Sequence, residues 1–507
     1  MAVGRYVVIE GQTSRFFAMI SDIKLGAIDQ RLTITPPDTG DPFIAEVIAG
    51  TGTYGILQVV PLLTIGGDAA SMLAGPHPVK TVPAHFSGVY EASSADVELV
   101  FGKEDERHFY VGTPLDMETR VCLNTREFVK RSNGVFGKSG TGKTFFTRLL
   151  LIGIVQKRDA VNLIFDMHSE YGWAGTSENA RSVKGLKQLF PAQVALFTLD
   201  EQSARRRKAS TDYVVEIGYD EIEPEDIALL KDTLNLTEHA AEAVYQFQRE
   251  FGEKKWLEGF FSLGEGEDTD EVLKRLNVHE SSYRNLRRGL ERLKRLPFLV
   301  PHAADNSVKR ILAYLDSGKN VVLEFGRYTD ITVYVLVANI LTRRIYDQYR
   351  ERTERVQGEG GEKPQPLVIT IEEAHKFLNR EVASQTIFGT IAREMRKYGV
   401  TLLVIDQRPS SIDDEVMSQL GTKATYLLDN ENDVDSVLMG VSGKTQLKTV
   451  LSKLEATQQA LIFGHALPMP VVVRTRDYGS AESYRTLGFM DAVGLRRKLE
   501  EEIRDLS

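Results

Sequence analysis

Residues 137–144 read Gly-Lys-Ser-Gly-Thr-Gly-Lys-Thr, the spacing of a loop that wraps backbone around phosphate oxygens. Gly137, Gly140 and Gly142 let the chain turn closely, and Lys138, Ser139 and Thr141 complete the cradle. Lys143 can reach the β- and γ-phosphates, and the Thr144 hydroxyl can sit on Mg²⁺. The flanks suit this chemistry. Gly134-Val-Phe136 can end a strand, and the apolar run from Phe145 to Val155 can carry a helix away. The N-terminus of such a helix presents unpaired N–H groups to an anion. The implied ligand is ATP with Mg²⁺.

A second set of residues could act on that ligand. Leu367–Ile371 is an apolar, β-branched run that reads as a buried parallel strand, and Glu372 and Glu373 follow it. Open α/β sheets place their ligands at the C-terminal ends of strands. Glu372 could hold the Mg²⁺ water shell there, and Glu373 could take a proton from the attacking water. The same pair would also suit an acidic helix start. Val400–Ile405 reads as another buried strand, after which Gln407 could sense the γ-phosphate or hold the water. Between these strands, Arg393 and Arg396 stand three apart, which on a helix is one face. Either could reach a neighbouring subunit's nucleotide, where an arginine stabilises transition-state charge. A solvated basic helix end is the other reading.

The elements that must position these groups imply an α/β class, a RecA-like phosphate-loop ATPase core. Residues 1–95 alternate short β-like runs (Arg5–Glu10, Phe16–Ile20, Leu32–Thr35, Phe43–Ile48, Leu57–Leu63) with turns and read as a small β-barrel. Residues 96–200 hold the first part of the core. Residues 201–305 read as a helical insertion, with no buried strand after Tyr213–Ile217. Residues 306–475 return to strands and helices, including a long helix near Ile331–Tyr349, and Gln357–Pro366 reads as a loop. Residues 476–507 form a tail ending in an amphipathic helix with Val493, Leu495, Leu499, Ile503 and Leu506. The runs Arg205–Lys208 and Arg284–Arg295 read as solvated faces, and Glu265–Glu271 as an exposed acidic loop.

Composition narrows the class further. The 507 residues suggest three or four domain-sized pieces. The single cysteine, Cys122, excludes an internal disulfide framework and fits a reducing cytosol. No run of 18 uncharged apolar residues occurs, and the N-terminus lacks a signal-peptide layout, so a cytoplasmic protein without membrane contact is expected. The net charge of −9 disfavours an all-over nucleic-acid surface, yet a ring needs only a basic pore.

Taken together, these stretches resemble the HerA-type hexameric DNA translocases of the HerA–FtsK superfamily. The resemblance rests on Arg131–Thr144, Phe165–Gly172, Ile371-Glu-Glu-Ala-His375, Arg396–Gly399 and Asp406-Gln-Arg-Pro409. It departs at Glu372, where many relatives have Asp, and at Ser169, where relatives often have Gly. The resemblance implies that Glu373 is the catalytic carboxylate and Arg396 the trans-acting arginine. It adds Arg131 to the nucleotide contacts and Asp166 to the metal site, and it gives Gln407 the γ-phosphate sensor role. It implies an N-terminal barrel, a homohexamer and double-stranded DNA in a central pore. A NurA-like nuclease, or a sirtuin-like or nuclease defence effector, would be the partner. Two further readings stay open: an antiphage assembly platform whose ATPase regulates an effector, and a conjugation-type protein-translocating ATPase.

Overall fold

The computed structural model describes residues 3–11, 14–27, 53–66, 76–115, 117–176, 182–264, 267–381, 387–441 and 443–489, with Phe43, Glu46 and Ala383. The chain divides into two compact units. One holds residues 1–128, 135–143 and 421–476; the other holds 129–134, 144–420 and 477–507.

In the first unit, N-terminal strands form an antiparallel sheet in the order His77–Pro78, Thr53–Gly66, Ser14–Ala27, Tyr6–Glu10, Gly88–Glu91. Period-two alternation explains its two covered faces. Val7 and Ile9 pack with Phe16, Ala18 and Ile20 on one face. Tyr6 on the other face stacks on Phe17 at 5.1 Å, with Phe101 of the helix Ser94–Phe101 behind it at 6.0 Å. The expected strand 32–35 lies outside the described residues. Of 43–48, Phe43 and Glu46 are described and are helical, not extended; Glu is a better helix than strand former. The expected tail helix beyond residue 489 also lies outside the described residues. The same unit holds a second antiparallel run of neighbours: Thr422–Thr425, Gln459–Gly464, Val471–Thr475, His108–Pro114 and Val121–Asn124.

The second unit is built on six parallel strands. Their order is Tyr213–Val214, Val194–Thr198, Asn320–Glu324, Val161–Asp166, Leu367–Glu372, Val400–Asp406. The last four are rich in Val, Ile and Leu with every residue buried, as a parallel sheet covered on both faces requires. The helix Ile331–Glu359 continues ten residues beyond the expected end at Tyr349. Its apolar pattern stops there, but Arg and Glu sustain it by propensity, and Arg352 grips Asp316 bidentately at 2.7 and 2.9 Å.

Helices Pro224–Leu229, Glu238–Phe251, Trp256–Ser262, Glu267–Leu276 and Glu280–Lys294 follow within this unit. Phe247, Phe260 and Tyr283 form their aromatic centre, with ring separations of 4.9 to 6.1 Å. Three expectations need correcting here. Residues 267–276 are helical, because acidic residues suit the first turn and Leu273 is buried beneath. Leu299–Val300 is a short strand paired with Ile217–Gly218, too brief to show a pattern. Arg207 and Arg287 are not solvated; Arg207 pairs with buried Glu324, and Arg287 donates to Tyr283 Oη at 2.6 Å.

A buried polar network ties the start of this helical stretch to the long helix. Asp226 accepts from Asn339 Nδ2 at 2.6 Å, from Arg343 Nη2 at 2.9 Å and from the Glu223 N–H at 2.8 Å. Arg344 and Asn306 hold Glu221 at 3.0 and 2.7 Å. Removing one partner of a buried pair strands the other. Asp226→Ala should therefore cost about 3 kcal/mol, the low end for such pairs because Glu223 still faces Arg343. Denaturant unfolding followed by Trp fluorescence reads this loss.

Candidate active site

The sheet of the second unit ends in acids. Glu324 is level with Asp166 in register, and Phe165 is level with Ile371, which places Glu372 beside Asp166. Asp406 ends the next strand. Glu324, Asp166, Glu372 and Asp406 thus close four adjacent strands, and all are buried. Like charges at such spacing in low dielectric repel, so each needs its own compensation.

Each acid finds a different partner. Arg207 forks onto both oxygens of Glu324. Asp166 accepts the N–H groups of Glu170, Tyr171 and Gly172 at 2.7, 2.8 and 3.0 Å, which folds residues 166–172 around its carboxylate. Burial, then the neighbouring Glu324, push Asp166 up to about 7. Tyr171 Oη donates to Glu372 Oε1 at 2.8 Å, while Glu372 Oε2 is buried without a hydrogen-bond partner among the described residues. Burial, with Asp166 and Glu170 adding, holds the Glu372 carboxyl well above the carboxylate range. Asp406 accepts the His375 N–H at 2.7 Å, the His375 ring Nδ1 at 3.0 Å and the Arg408 N–H at 2.7 Å.

Glu373 stands apart from this buried row. It is half-buried and has φ of 49°, a left-handed conformation that costs a non-glycine residue about 1–3 kcal/mol. Gln407 Nε2 donates to its Oε1 at 3.2 Å, and His375 Nδ1 lies 3.6 Å from its Oε2. The structure therefore brings Glu373 and Gln407 together, on the ends of two neighbouring strands.

The phosphate loop joins the strand Asn133–Phe136 to the helix Lys143–Lys157. Gly137 has φ of 150°, and a Cβ there would meet Tyr426 Cβ at 2.6 Å, so only glycine fits. Lys143 Nζ donates to the Lys138 carbonyl at 2.7 Å, and Thr141 Oγ1 donates to the same oxygen at 2.9 Å. A phosphate oxygen can replace that carbonyl as the lysine's acceptor. The Lys138 side chain turns outward onto Asp429 at 3.0 Å. Thr144 is half-buried in the first helical turn, and residues 146–155 are buried throughout. Arg148 lies within that buried stretch. Its guanidinium lies 5.5 Å from the Phe145 ring and 5.6 Å from the Tyr478 ring and donates to the Glu170 carbonyl. This anchors the helix to the turn that encloses Asp166.

The arginines differ from expectation. The helix ends at Glu394, and Arg396 lies in a 3₁₀ turn, Met395–Tyr398, closed by Gly399 at φ 78°. Arg393 and Arg396 therefore do not share a helix face. The glycine, which favours a left-handed cap, sits too close to allow another α-turn. Arg393 pairs with Glu415 at 3.3 Å, whereas Arg396 is exposed with no ion-pair partner among the described residues. Arg131 lies half-buried in the turn before the loop strand. Sequence reasoning missed Glu324, Tyr171 and the pairing of His375 with Asp406. The strand-then-acid pattern that marked Glu372 also marks Glu324 and Asp406, but no such signal marks Tyr171.

Residues 109–345 match the family model of the central domain of helicase HerA. The DNA double-strand break repair helicase HerA of Pyrococcus furiosus is 23% identical, over 77% of this chain and 73% of that protein. Its namesake from Saccharolobus solfataricus is 26% identical, over 82% and 77%. Among solved structures, the bacterial conjugative coupling protein TrwB is 12% identical with a TM-score of 0.48, over 77% of this chain and 93% of that one. With its phosphate loop and strand-end carboxylates, the chain is an ATP hydrolase similar to the HerA-type ATPases of the HerA–FtsK superfamily. No helix among the described residues is long and apolar enough to cross a membrane.

The hydrogen bond to Asp406 raises the His375 pKa, with Glu373 adding and burial opposing. The folded state thus favours the charged ring. That stability is complete below the unfolded value of about 6.5 and is lost as pH rises through the higher folded value. Buried Asp166, also raised, gives a slope of the same sign that persists without His375. His375→Gln should therefore flatten part of the fall in melting temperature as pH rises above about 6.5, read by differential scanning fluorimetry across pH.

Proposed function

We propose that this protein is an ATP-driven translocase of double-stranded DNA that works as a homohexameric ring with a nuclease or other effector partner. The observation that carries the hydrolytic part is Glu373, strained and held against Gln407 beyond the row of compensated acids. The relatives' naming as DNA double-strand break repair helicases favours DNA movement over the platform and protein-translocation readings. The N-terminal sheet is then part of the family's barrel.

In this reading the loop amides and Lys143 grip the ATP phosphates, with Arg131 beside them. The residues fit Mg²⁺: Glu372 Oε2 is a buried oxygen without a partner, and the Thr144 hydroxyl opens the first helical turn. Thr144 and Glu372 would hold the ion, which supplies charge neutralisation between phosphate oxygens. Asp166 serves the site by shaping the 166–172 turn that sends Tyr171 to Glu372. Glu373 takes the proton of the attacking water at its carboxylate, and Gln407 fixes that carboxylate and the water. Arg396, exposed and without an ion-pair partner among the described residues, crosses to the neighbouring subunit's nucleotide; Arg393, already paired with Glu415, supports the segment.

Lys143→Ala should lose ATP binding and turnover, whereas Glu373→Gln should keep binding and lose turnover, because an amide cannot act as base. Duplex DNA should stimulate the wild-type ATPase, and this stimulation should fall steeply with salt as phosphate contacts release counterions. Stimulation that ignores duplex DNA at all salt concentrations would count against translocation.

The ring itself is tested by mixing. Arg396→Ala should bind ATP, stay assembled and lose about 10³–10⁵ in rate. Rings mixed from Arg396→Ala and Glu373→Gln subunits contain interfaces with an intact Glu373 on one side and an intact Arg396 on the other. Such rings should regain turnover that neither variant has alone. Mixed rings shown by mass to form, yet inactive, would place Arg396 outside this role.

A further inference from the structure

Two chain segments run side by side at the C-terminal ends of neighbouring strands, Glu372–His375 and Ile405–Arg408. Three hydrogen bonds clamp them beside the Glu373–Gln407 pair. The Ala374 N–H donates to the Ile405 carbonyl at 3.4 Å, and the His375 N–H donates to Asp406 Oδ2 at 2.7 Å. The His375 ring nitrogen Nδ1 meets the same oxygen at 3.0 Å. Asp406 cannot turn away, because its Oδ1 accepts the Arg408 N–H at 2.7 Å and the side chain is buried. The residue just before this clamp on one segment is Glu373, with φ of 49°. The residue just after Asp406 on the other is Gln407, whose amide reaches Glu373.

The clamp therefore spans the pair that the reaction uses. Without it, Glu373 is free to relax to negative φ, and that rotation swings its carboxylate away from Gln407. The ring of His375 also limits the carboxylate from its other side. Gln407 faces Oε1 at 3.2 Å and the imidazole faces Oε2 at 3.6 Å.

We propose that His375 and Asp406 are positioning residues that hold the Glu373 carboxylate in its reactive orientation against Gln407. This rests on the reading of Glu373 as the general base. The imidazole Nδ1–H donates to Asp406 and exchanges no proton with substrate. The pair's effect is then on turnover and not on nucleotide binding.

The test uses the full chain with Mg·ATP, and a non-hydrolysable ATP analogue for affinity. His375→Leu should lower kcat by about 10²-fold, the scale of a misplaced catalytic group, with analogue affinity within about twofold. His375→Asn, whose side-chain amide can stand where Nδ1–H stands, should restore most of kcat. Gln407→Ala should cost far less in the His375→Leu background than alone, since both changes act through one carboxylate. A kcat within about twofold of wild type in His375→Leu, or losses that multiply fully with Gln407→Ala, would overturn the proposal. If His375→Leu does not fold, Asp406→Asn, which conserves volume, carries the same cycle with the same two outcomes. Glu373→Gln separates the two levels of the argument. If it is dead while His375→Leu is normal, only the positioning role fails. If Glu373→Gln turns over at the wild-type rate, the base assignment fails instead.

Discussion

Four carboxylates at the ends of four adjacent parallel strands set the terms for everything around them. A parallel sheet buried on both faces gathers its strand ends in one low-dielectric place, and unlike water it cannot screen charges from one another. Glu324, Asp166, Glu372 and Asp406 are tolerable there because each has a separate solution: a guanidinium, three loop amides, a phenol and an imidazole. Those solutions recruit distant parts of the chain. Arg207 comes from a loop after another strand, and the turn at 166–172 exists in its observed form because Asp166 needs its N–H groups.

The compensation is incomplete at two points, and both are useful. Glu372 keeps one carboxyl oxygen without a partner, which is costly in an apolar setting unless something arrives to use it. Glu373 escapes the buried row only by adopting a left-handed backbone conformation, which turns it toward Gln407 and leaves it half-exposed. Strain and an unpaired acceptor at one strand end are the marks of a site prepared for a ligand. The phosphate loop shows a milder version of the same economy, with Lys143 resting on a carbonyl of its own loop.

The second unit also uses buried charge to hold its helical stretch. Asp226, Arg343, Arg344 and Glu221 form a network between short segments and the long helix Ile331–Glu359. Such a junction is directional where an apolar one would slide, because each hydrogen bond has one good geometry. It fixes where the helical stretch begins and leaves the aromatic centre of Phe247, Phe260 and Tyr283 to do the non-directional packing.

What could be read from the chain alone follows from local rules. The phosphate loop is legible because glycine positions and the lysine are set by covalent spacing over eight residues. The buried strands are legible because a doubly covered parallel strand leaves an unbroken apolar run, and Glu372, Glu373 and Gln407 stand out as polar residues where that run stops. Helix ends were less legible. The long helix outlasts its apolar pattern because propensity and the Arg352–Asp316 contact carry it on from Arg350, and the helix holding Arg393 stops before Arg396 because Gly399 closes a tighter turn. Only the tertiary structure decided which polar residues meet. Tyr171 and Glu372 are 201 residues apart, Arg207 and Glu324 are 117 apart, and His375 and Asp406 are 31 apart. Each pairing depends on which strand lies beside which, and parallel strands are placed by crossover connections whose neighbours no local pattern encodes.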